Sequence, residues 1–381
     1  MKVAIVHDYI KEYGGAERVL EALCELYPDA PIYTAFYLRD SLAYERFKNK
    51  KIIASWVHYI PFFASKLHSP LRFLAPFIWG SFNFSEYDVV ISSASWYVTK
   101  GFGGNKKPIE ICYCHTPPRW LYGYKTSVEW QKYWPIKLYG TLIGHVMRLY
   151  DFRAAQRVDY FIANSKEVQA RIKKFYRRDA VVIYPPVYLA SSSIALASLR
   201  SGSSVQLGNQ KRLSYYLVVA RLVGAKGLEL AIQAAVENGF HLKIVGAASG
   251  YYSKYKQLSE KAQKNVEFLG FVSDEELVRL YAGAKAFLAL ATDEDFGITP
   301  VEAMLCGTPI IAYDGGGYRE TIVNGKTGIF FREATVASLV GAIDGLEKIN
   351  IKPQDCIAQA QKFSKERFKK EIKQFVEKVT K

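Results

Sequence analysis

The stretch ATDEDFGITPVEAMLCGTPIIAYDGGG, Ala291 to Gly317, decides how this chain is read. An apolar strand, Ala286 to Ala291, feeds an acidic loop; Phe296-Gly297-Ile298-Thr299-Pro300 then opens a helix, and a second apolar run, Ile310 to Ala312, follows. Strand, loop, helix and strand in close succession form the unit of a parallel sheet with crossover helices. The start of that helix offers N–H groups without intrahelical partners and the positive end of the helix dipole, so an anion fits there. Glu294 stands on the loop before the helix and Glu302 within its first turns, with seven residues between them. One phosphorylated ligand would thus meet a carboxylate at each end, and carboxylates suit hydroxyl-rich groups because they accept strong charge-assisted hydrogen bonds. As an isolated pair the glutamates have a simpler reading, Glu294 as a complement to the dipole and Glu302 as a solvated helix face. The rest of the chain favours the ligand.

Working outward, the second half repeats the same rhythm, with strands expected at Tyr215 to Ala220, His241 to Val245, Val266 to Leu269, Ala286 to Leu290, Ile310 to Ala312 and Gly328 to Phe331. In the first half, strands are expected at Lys2 to Asp8, Val89 to Ser92, Ile109 to Tyr113, Tyr160 to Ala163 and Val181 to Tyr184, and helices at Ala16 to Tyr27 and Lys166 to Phe175. Tyr184-Pro185-Pro186-Val187 stops the pattern, and Ser191 to Gly208 is Ser/Gly-rich. Residues 1–186 are therefore expected as one doubly wound α/β domain, 187–210 as a linker and 211–363 as a second such domain. In the tail, 364–381, Phe368, Ile372, Phe375 and Val376 share one side of an amphipathic helix expected to pack on the body.

At 381 residues the chain suits two domains of roughly 150 to 200 residues each. Half the residues are hydrophobic and 23% are charged, which excludes a disordered chain. Five cysteines, each inside a strand or helix pattern, argue against a disulfide framework, and Cys112 and Cys114 are spaced too closely for a zinc site. Met1-Lys2 leads at once into VAIVHDYI, with no leader pattern, so a cytoplasmic location is expected. The nearest apolar run to a spanning helix, Trp56 to Phe84, is broken by Pro61, Pro70, Pro76, Lys66 and Arg72.

The net charge is +15, and residues 1–186 carry most of it, with 26 Lys/Arg against 16 Asp/Glu. Basic residues beside Trp56, Phe62, Phe63, Phe73, Phe77 and Trp79 have two readings. They form a face for an anionic lipid surface, or an aromatic core with a basic rim. No nucleic-acid reading motif accompanies the charge.

Two Rossmann-like halves, the helix opening above and the Glu294/Glu302 spacing resemble the retaining glycosyltransferases of family 4, which have the GT-B fold of two such domains facing a central cleft. Three further motifs match in order: Gly14-Gly15-Ala16-Glu17-Arg18 after the first strand, CHTPPRW at Cys114 to Trp120, and Arg221 with Lys226 in ARLVGAKG. HDYIKEYGGAERV and YCHTPPRWLYGY look most like bacterial mannosyltransferases of cell-surface polysaccharide assembly. The resemblance implies transfer of a hexose, mannose from GDP-mannose, to a lipid-linked glycan or polysaccharide acceptor.

It also implies roles. Gly14 and Gly15 close over the donor diphosphate, where glycine lets backbone approach a ligand. The glycines are not spaced as GxGxxG, which argues against a dinucleotide. Arg221 offers a fork of donors and Lys226 a compact charge to the leaving nucleoside diphosphate. His115, before Thr116-Pro117-Pro118, contacts the transferred sugar and is assigned no general-base role. Glu294 binds sugar hydroxyls beside the N–H groups of Phe296 and Gly297, Ile298 and Thr299 serve the diphosphate, Glu302 the ribose, and Gly270-Phe271-Val272 the base.

Asp293-Glu294-Asp295 spells an acidic triplet that holds a divalent metal in a different glycosyltransferase fold. That fold has one nucleotide-binding domain, and here Arg221 and Lys226 supply the positive charge, so no metal or other cofactor is expected. A nucleotide-sugar epimerase of the same fold and a non-catalytic nucleotide-sugar-binding subunit are the competing readings. The first lacks a base for C–H chemistry, and the Arg221, Lys226, Glu294 set speaks against the second.

Overall fold

The structure is a computed structural model, and it describes residues 1–103, 108–124, 134–189, 215–221, 224–246 and 264–381. The Ser/Gly-rich stretch, and with it most of the expected linker, lies outside the described residues. Two compact units divide the chain. The first holds Met1–Tyr124, the segment ending at Pro186, and Lys365–Lys381; the second includes Val187–Ser364.

In the first unit the order is β1 (Val3–His7), α1 (Gly15–Leu26), β2 (Ile32–Thr34), α2 (Leu42–Phe47), β3 (Ile52–Ala54), α3 (Ala75–Gly80), β4 (Val89–Ala94), β5 (Ile109–Cys114), α4 (Trp134–Arg157), β6 (Tyr160–Ala163), α5 (Lys166–Tyr176) and β7 (Ala180–Val182). They form a seven-stranded sheet ordered β3-β2-β1-β4-β5-β6-β7, with every pair parallel. All residues of β1 and β4 are buried, as a sheet covered on both faces requires, which is why Val3 to Val6 and Val89 to Ile91 read as unbroken apolar runs before the polar His7, Ser92 and Ser93.

The second unit runs β8 (Tyr215–Val219), α6 (Leu228–Asn238), β9 (His241–Val245), β10 (Val266–Gly270), α7 (Asp274–Gly283), β11 (Ala286–Ala289), α8 (Ile298–Leu305), β12 (Ile310–Tyr313), α9 (Tyr318–Thr321), β13 (Gly328–Phe331), α10 (Val336–Glu347) and α11 (Pro353–Gln361). Its six strands are ordered β10-β9-β8-β11-β12-β13, again all parallel. Helix starts follow local chemistry: Ser165 caps α5 through the Val168 N–H at 3.1 Å, and Ser273 caps α7, whose first turn holds Asp274, Glu275 and Glu276. Each sheet reverses its winding once, between β1 and β4 and between β8 and β11. The loops at the carboxyl ends of those strands diverge there and leave room for a ligand.

The terminal helix α12 (Lys365–Val379) follows the second unit in sequence but belongs to the first. Phe368, Ile372 and Val376 are buried in the same core as Val19 and Leu23 of α1, and Lys365 and Lys369 hold Glu25 at 2.7 and 3.2 Å. The aromatic set divides by burial. Phe63 and Trp79 are core, because the segment after β3 must cover one face of the sheet: Phe63 packs edge-on against Phe36 and the Trp79 indole donates to the Tyr97 carbonyl at 2.8 Å. Phe73 is partly buried, while Trp56, Phe62 and Phe77 are exposed.

Candidate active site

In the second unit the switch point gathers side chains that are far apart in sequence. Arg221 follows β8 and is exposed, and a single helical turn, Gly224–Lys226, carries Lys226. Gly227 comes next at φ +70°, and a Cβ there would lie 2.8 Å from the Leu290 Cβ and carbonyl oxygen. Only glycine lets the loop after β8 press against the end of β11, and that approach sets the pair: Lys226 Nζ stands 2.7 Å from Glu294 Oε2. Neither partner is enclosed, with 29% and 16% of their side chains exposed.

Glu294 is also gripped from the loop after β12. Its carbonyl accepts the Gly317 N–H at 2.9 Å, and the Tyr318 hydroxyl donates to Oε2 at 3.4 Å. Gly297, at φ +86°, precedes α8, and a Cβ on it would meet the Tyr318 ring at 2.7 Å. Phe296 is buried against Phe363, and Ile298 and Thr299 form the first turn of α8. Glu302 is buried in the next turn, 1% exposed, and accepts a hydrogen bond from the Tyr281 hydroxyl at 2.9 Å. The solvated-face reading of Glu302 is therefore corrected: its side of α8 packs inward. Gly270, at φ +67°, ends the edge strand β10, Phe271 beyond it is 73% exposed, and Val272 is half-buried.

In the first unit Gly14 precedes α1, and its N–H donates to Glu17 Oε2 at 2.8 Å, a helix-start pattern that Gly15 continues. His115 follows β5; its N–H donates to the Ala94 carbonyl at 2.9 Å and its Nε2 lies 2.8 Å from Ser93 Oγ. Burial, then the neighbouring His7, push the imidazole down to about 3, so the ring is neutral near neutral pH. Asp8, buried at the end of β1, accepts the Trp96 N–H at 2.6 Å and the Ser95 hydroxyl at 2.8 Å and so shapes the loop after β4.

Tyr318, the Gly315–Gly317 turn, His7, Ser93 and Asp8 do not stand out in the sequence. The available signals were the triple glycine after an apolar run and the polar His7-Asp8 closing the first strand. Among the described residues no three His, Cys, Asp or Glu side chains are grouped so as to hold a metal ion.

Two partly buried imidazoles make the stability of the fold depend on pH. His68 is pushed down to about 4, chiefly by burial and then by Lys11. Both folded-state values lie below those of the unfolded chain, so the native state refuses protons that the unfolded state takes up. Their contribution to stability is complete above about pH 6.5 and is lost progressively as pH falls toward 3 to 4. Urea midpoints should drop between about pH 6.5 and 5, before most carboxylates titrate, and a His68→Gln/His115→Gln double variant should show a flatter slope over that window.

Two family models cover most of the chain: one described as Glycosyltransferase Family 4 matches residues 13–191, and one described as Glycosyl transferases group 1 matches residues 203–363. The alpha-1,3/1,6-mannosyltransferase ALG2 of Mus musculus is 26% identical over 327 residues, 77% of this chain and 74% of that one. An uncharacterized glycosyltransferase of Methanocaldococcus jannaschii is 32% identical over 143 residues, but the match spans only 37% of that protein. Among solved structures, Anabaena HepE in complex with UDP and glucose superposes with a TM-score of 0.70 at 19% identity, covering 99% of both chains.

Proposed function

Because the chain belongs to glycosyltransferase family 4, a retaining, nucleotide-sugar-dependent family with the GT-B fold, we propose that it transfers mannose from GDP-mannose to a lipid-linked or polysaccharide acceptor in cell-surface polysaccharide assembly. The observation that carries the reading is the Lys226–Glu294 pair at the carboxyl ends of β8 and β11. A cation for a leaving diphosphate and a carboxylate for sugar hydroxyls stand side by side where such a sheet takes its ligand.

Arg221 joins Lys226 on the diphosphate, with the N–H groups of Ile298 and Thr299. Phe296 and Gly297 support Glu294 on the sugar, Glu302 serves the ribose, and Gly270 to Val272 serve the base. His115 meets the sugar. Gly14 and Gly15 serve the diphosphate, and Gly14 supports this in one respect: a Cβ on it would make only ordinary contact, 3.4 Å from Glu17 Oε2, so the unit's own packing does not demand glycine there. The acceptor hydroxyl enters on the face the diphosphate leaves, aided by the leaving group's own oxygen, without a metal ion. Incubation with labelled GDP-mannose and a lipid-linked acceptor should give an α-mannoside, and an inverted anomer would contradict the mechanism.

The mannosyl donor is favoured by the CHTPPRW and GGAER stretches and by the name of the mouse relative, whereas the Anabaena structure holds UDP and glucose. A panel of nucleotide sugars read by thermal shift separates the two. GDP-mannose should raise the midpoint most, and a larger rise with UDP-glucose would reassign the donor.

We further place the enzyme on the inner, anionic face of the cell membrane. No helix among the described residues is long and apolar enough to cross a membrane. α4 instead exposes Trp134, Leu138, Leu142, Val146 and Leu149 along one side, with the Tyr139 hydroxyl bonded to the Pro70 carbonyl at 2.5 Å. Trp56, Phe62 and Phe77 are exposed on the segment before β4, which carries no acidic residue from 46 to 85, and the one acid of α4, Asp151, is buried. Lys66, Lys137 and Arg153 are exposed beside these apolar groups, as an in-plane helix on anionic lipid requires. Leu138→Glu/Leu142→Glu should abolish sedimentation with anionic vesicles while leaving the unfolding midpoint unchanged; undiminished sedimentation would remove the proposal.

A further inference from the structure

A chain of buried polar groups crosses the first unit at its switch point. In the β1–β4 register His7 lies opposite Ser93, so the ends of the two central strands place an imidazole beside a hydroxyl: His7 Nδ1 is 3.0 Å from Ser93 Oγ. The hydroxyl is also 2.8 Å from His115 Nε2. At the other end His7 Nε2 faces Glu17 Oε1 at 3.5 Å, and the second oxygen of Glu17 takes the Gly14 N–H at 2.8 Å. The order is thus Gly14, Glu17, His7, Ser93, His115. His7 is 1% exposed, Ser93 fully buried and Glu17 8% exposed, so water is poorly placed to break the series.

Direction along it follows from proton counting. A carboxylate has no hydrogen to give, so His7 Nε2 carries the proton that faces Glu17, and a neutral His7 then has only a lone pair at Nδ1. The Ser93 hydroxyl has one hydrogen, and the lone pair of His7 claims it. Ser93 Oγ can then only accept from His115, which must carry its proton on Nε2. The Nδ1 of a neutral His115 is left with a lone pair, an acceptor for a hydroxyl group. A charged His7 would still donate to Glu17 but would reverse both arrows at Ser93 and turn that nitrogen into a donor.

We propose that Glu17, His7 and Ser93 are positioning residues that hold His115 as its Nε2–H tautomer, so that Nδ1 accepts a hydrogen bond from a hydroxyl of the donor sugar. The ligand half rests on the sugar contact proposed above for His115, and the tautomer half does not. Because Glu17 also holds the Gly14 N–H, the loop assigned to the diphosphate and the ring assigned to the sugar share one anchor.

Nitrogen NMR of isotope-labelled enzyme, with the His115 signal assigned by its loss in His115→Gln, reads the tautomer directly. The parent should show a single Nε2–H form, Ser93→Ala a mixture of tautomers, and Ser93→Thr, which keeps the hydroxyl, the parent form again. Transfer at saturating donor should fall about tenfold in Ser93→Ala and recover in Ser93→Thr, by analogy with the loss of groups that orient a working histidine. Affinity for the nucleoside diphosphate alone should stay within about twofold of the parent, since the diphosphate's principal cations remain in place. Should Ser93→Ala fail to fold, Glu17→Gln, at a helix start, removes the orienting charge and should likewise mix the tautomers. An Nδ1–H form in the parent, or a tautomer indifferent to these changes, overturns the proposal whatever the activity. If the tautomer behaves as stated but His115→Ala transfers sugar at the parental rate, the sugar contact itself falls and the ligand half falls with it.

Discussion

Replacing Lys226 by alanine is expected to slow sugar transfer by about 100- to 1,000-fold at saturating donor, the cost of removing one preorganised charge from a transition state that builds negative charge on a leaving group. Two effects act in the same direction. The ammonium that would neutralise the diphosphate is gone, and Glu294, which Lys226 now holds at 2.7 Å, is left as an uncompensated anion where the diphosphate must arrive. Lys226→Arg keeps the charge but exchanges a compact ammonium for a planar fork, so an intermediate loss is expected. Lys243 provides the control, since its ammonium also pairs with a glutamate, Glu267 at 3.3 Å, but away from the loops that carry Arg221 and Glu294. Lys243→Ala should leave turnover within about twofold, as for an ordinary surface pair. Steady-state kinetics with unfolding midpoints separate chemistry from folding, and full turnover in Lys226→Ala would refute the assignment.

The second large effect is expected at Gly316. Its φ is +55°, and a Cβ built there would overlap the backbone carbonyl of Glu294, the same carbonyl that accepts the Gly317 N–H. Gly316→Ala should therefore cost about 2 to 4 kcal/mol of stability, from left-handed strain together with forced displacement of packed backbone. It should also weaken donor binding, because the displaced residue is Glu294 itself. Two other glycines isolate the causes. Gly325 has φ +74° but open space around its missing Cβ, so Gly325→Ala should cost only the strain, about 1 to 2 kcal/mol. Gly341, inside α10 with nothing within 4 Å, should tolerate alanine and gain up to about 1 kcal/mol. Urea denaturation of the three variants tests the series, and a Gly316→Ala midpoint no lower than that of Gly325→Ala would contradict the packing argument.

Much of the fold is legible because its central strands are buried on both faces and so appear as continuous apolar runs. β1, β8, β11 and β12 read that way, β4 and β5 do so except at the buried polar residues Ser92, Ser93 and Glu110, and β6, β9 and β13 begin and end where the sequence places them. β2 and β3 are not legible, because three residues each give no periodicity and their neighbours are as apolar as they are. The membership of α12 is hidden as well. Its amphipathic stripe declares that it packs, whereas its partner α1 lies at the other end of the chain.

The candidate site divides in the same way. Glu294, Arg221 and Lys226 can be picked out because charged residues on glycine-bearing loops after apolar strands stand apart from their surroundings. That Lys226 touches Glu294, 68 residues away, is a consequence of strand order and not of spacing. Tyr318 and the Gly315–Gly317 turn escape for the opposite reason, since an aromatic residue and a run of glycines after a strand look like an ordinary turn. Glu302 shows the limit of helix-face reasoning: its place in α8 is read correctly, but which face packs inward depends on Tyr281, an element away.

In the proposed function labour is divided at one switch point, with Lys226 on the diphosphate and Glu294 on the sugar. Calorimetric titration of the bare nucleoside diphosphate and of the intact nucleotide sugar into parent, Lys226→Ala and Glu294→Ala enzymes measures it most directly. Lys226→Ala should weaken both ligands by at least about tenfold, the value of one charge-assisted contact. Glu294→Ala should leave the bare diphosphate's affinity equal or higher, because Lys226 is released to it, and abolish the extra affinity that the sugar brings. If Glu294→Ala instead weakens the bare diphosphate as much as the sugar nucleotide, or Lys226→Ala weakens neither, the division does not exist.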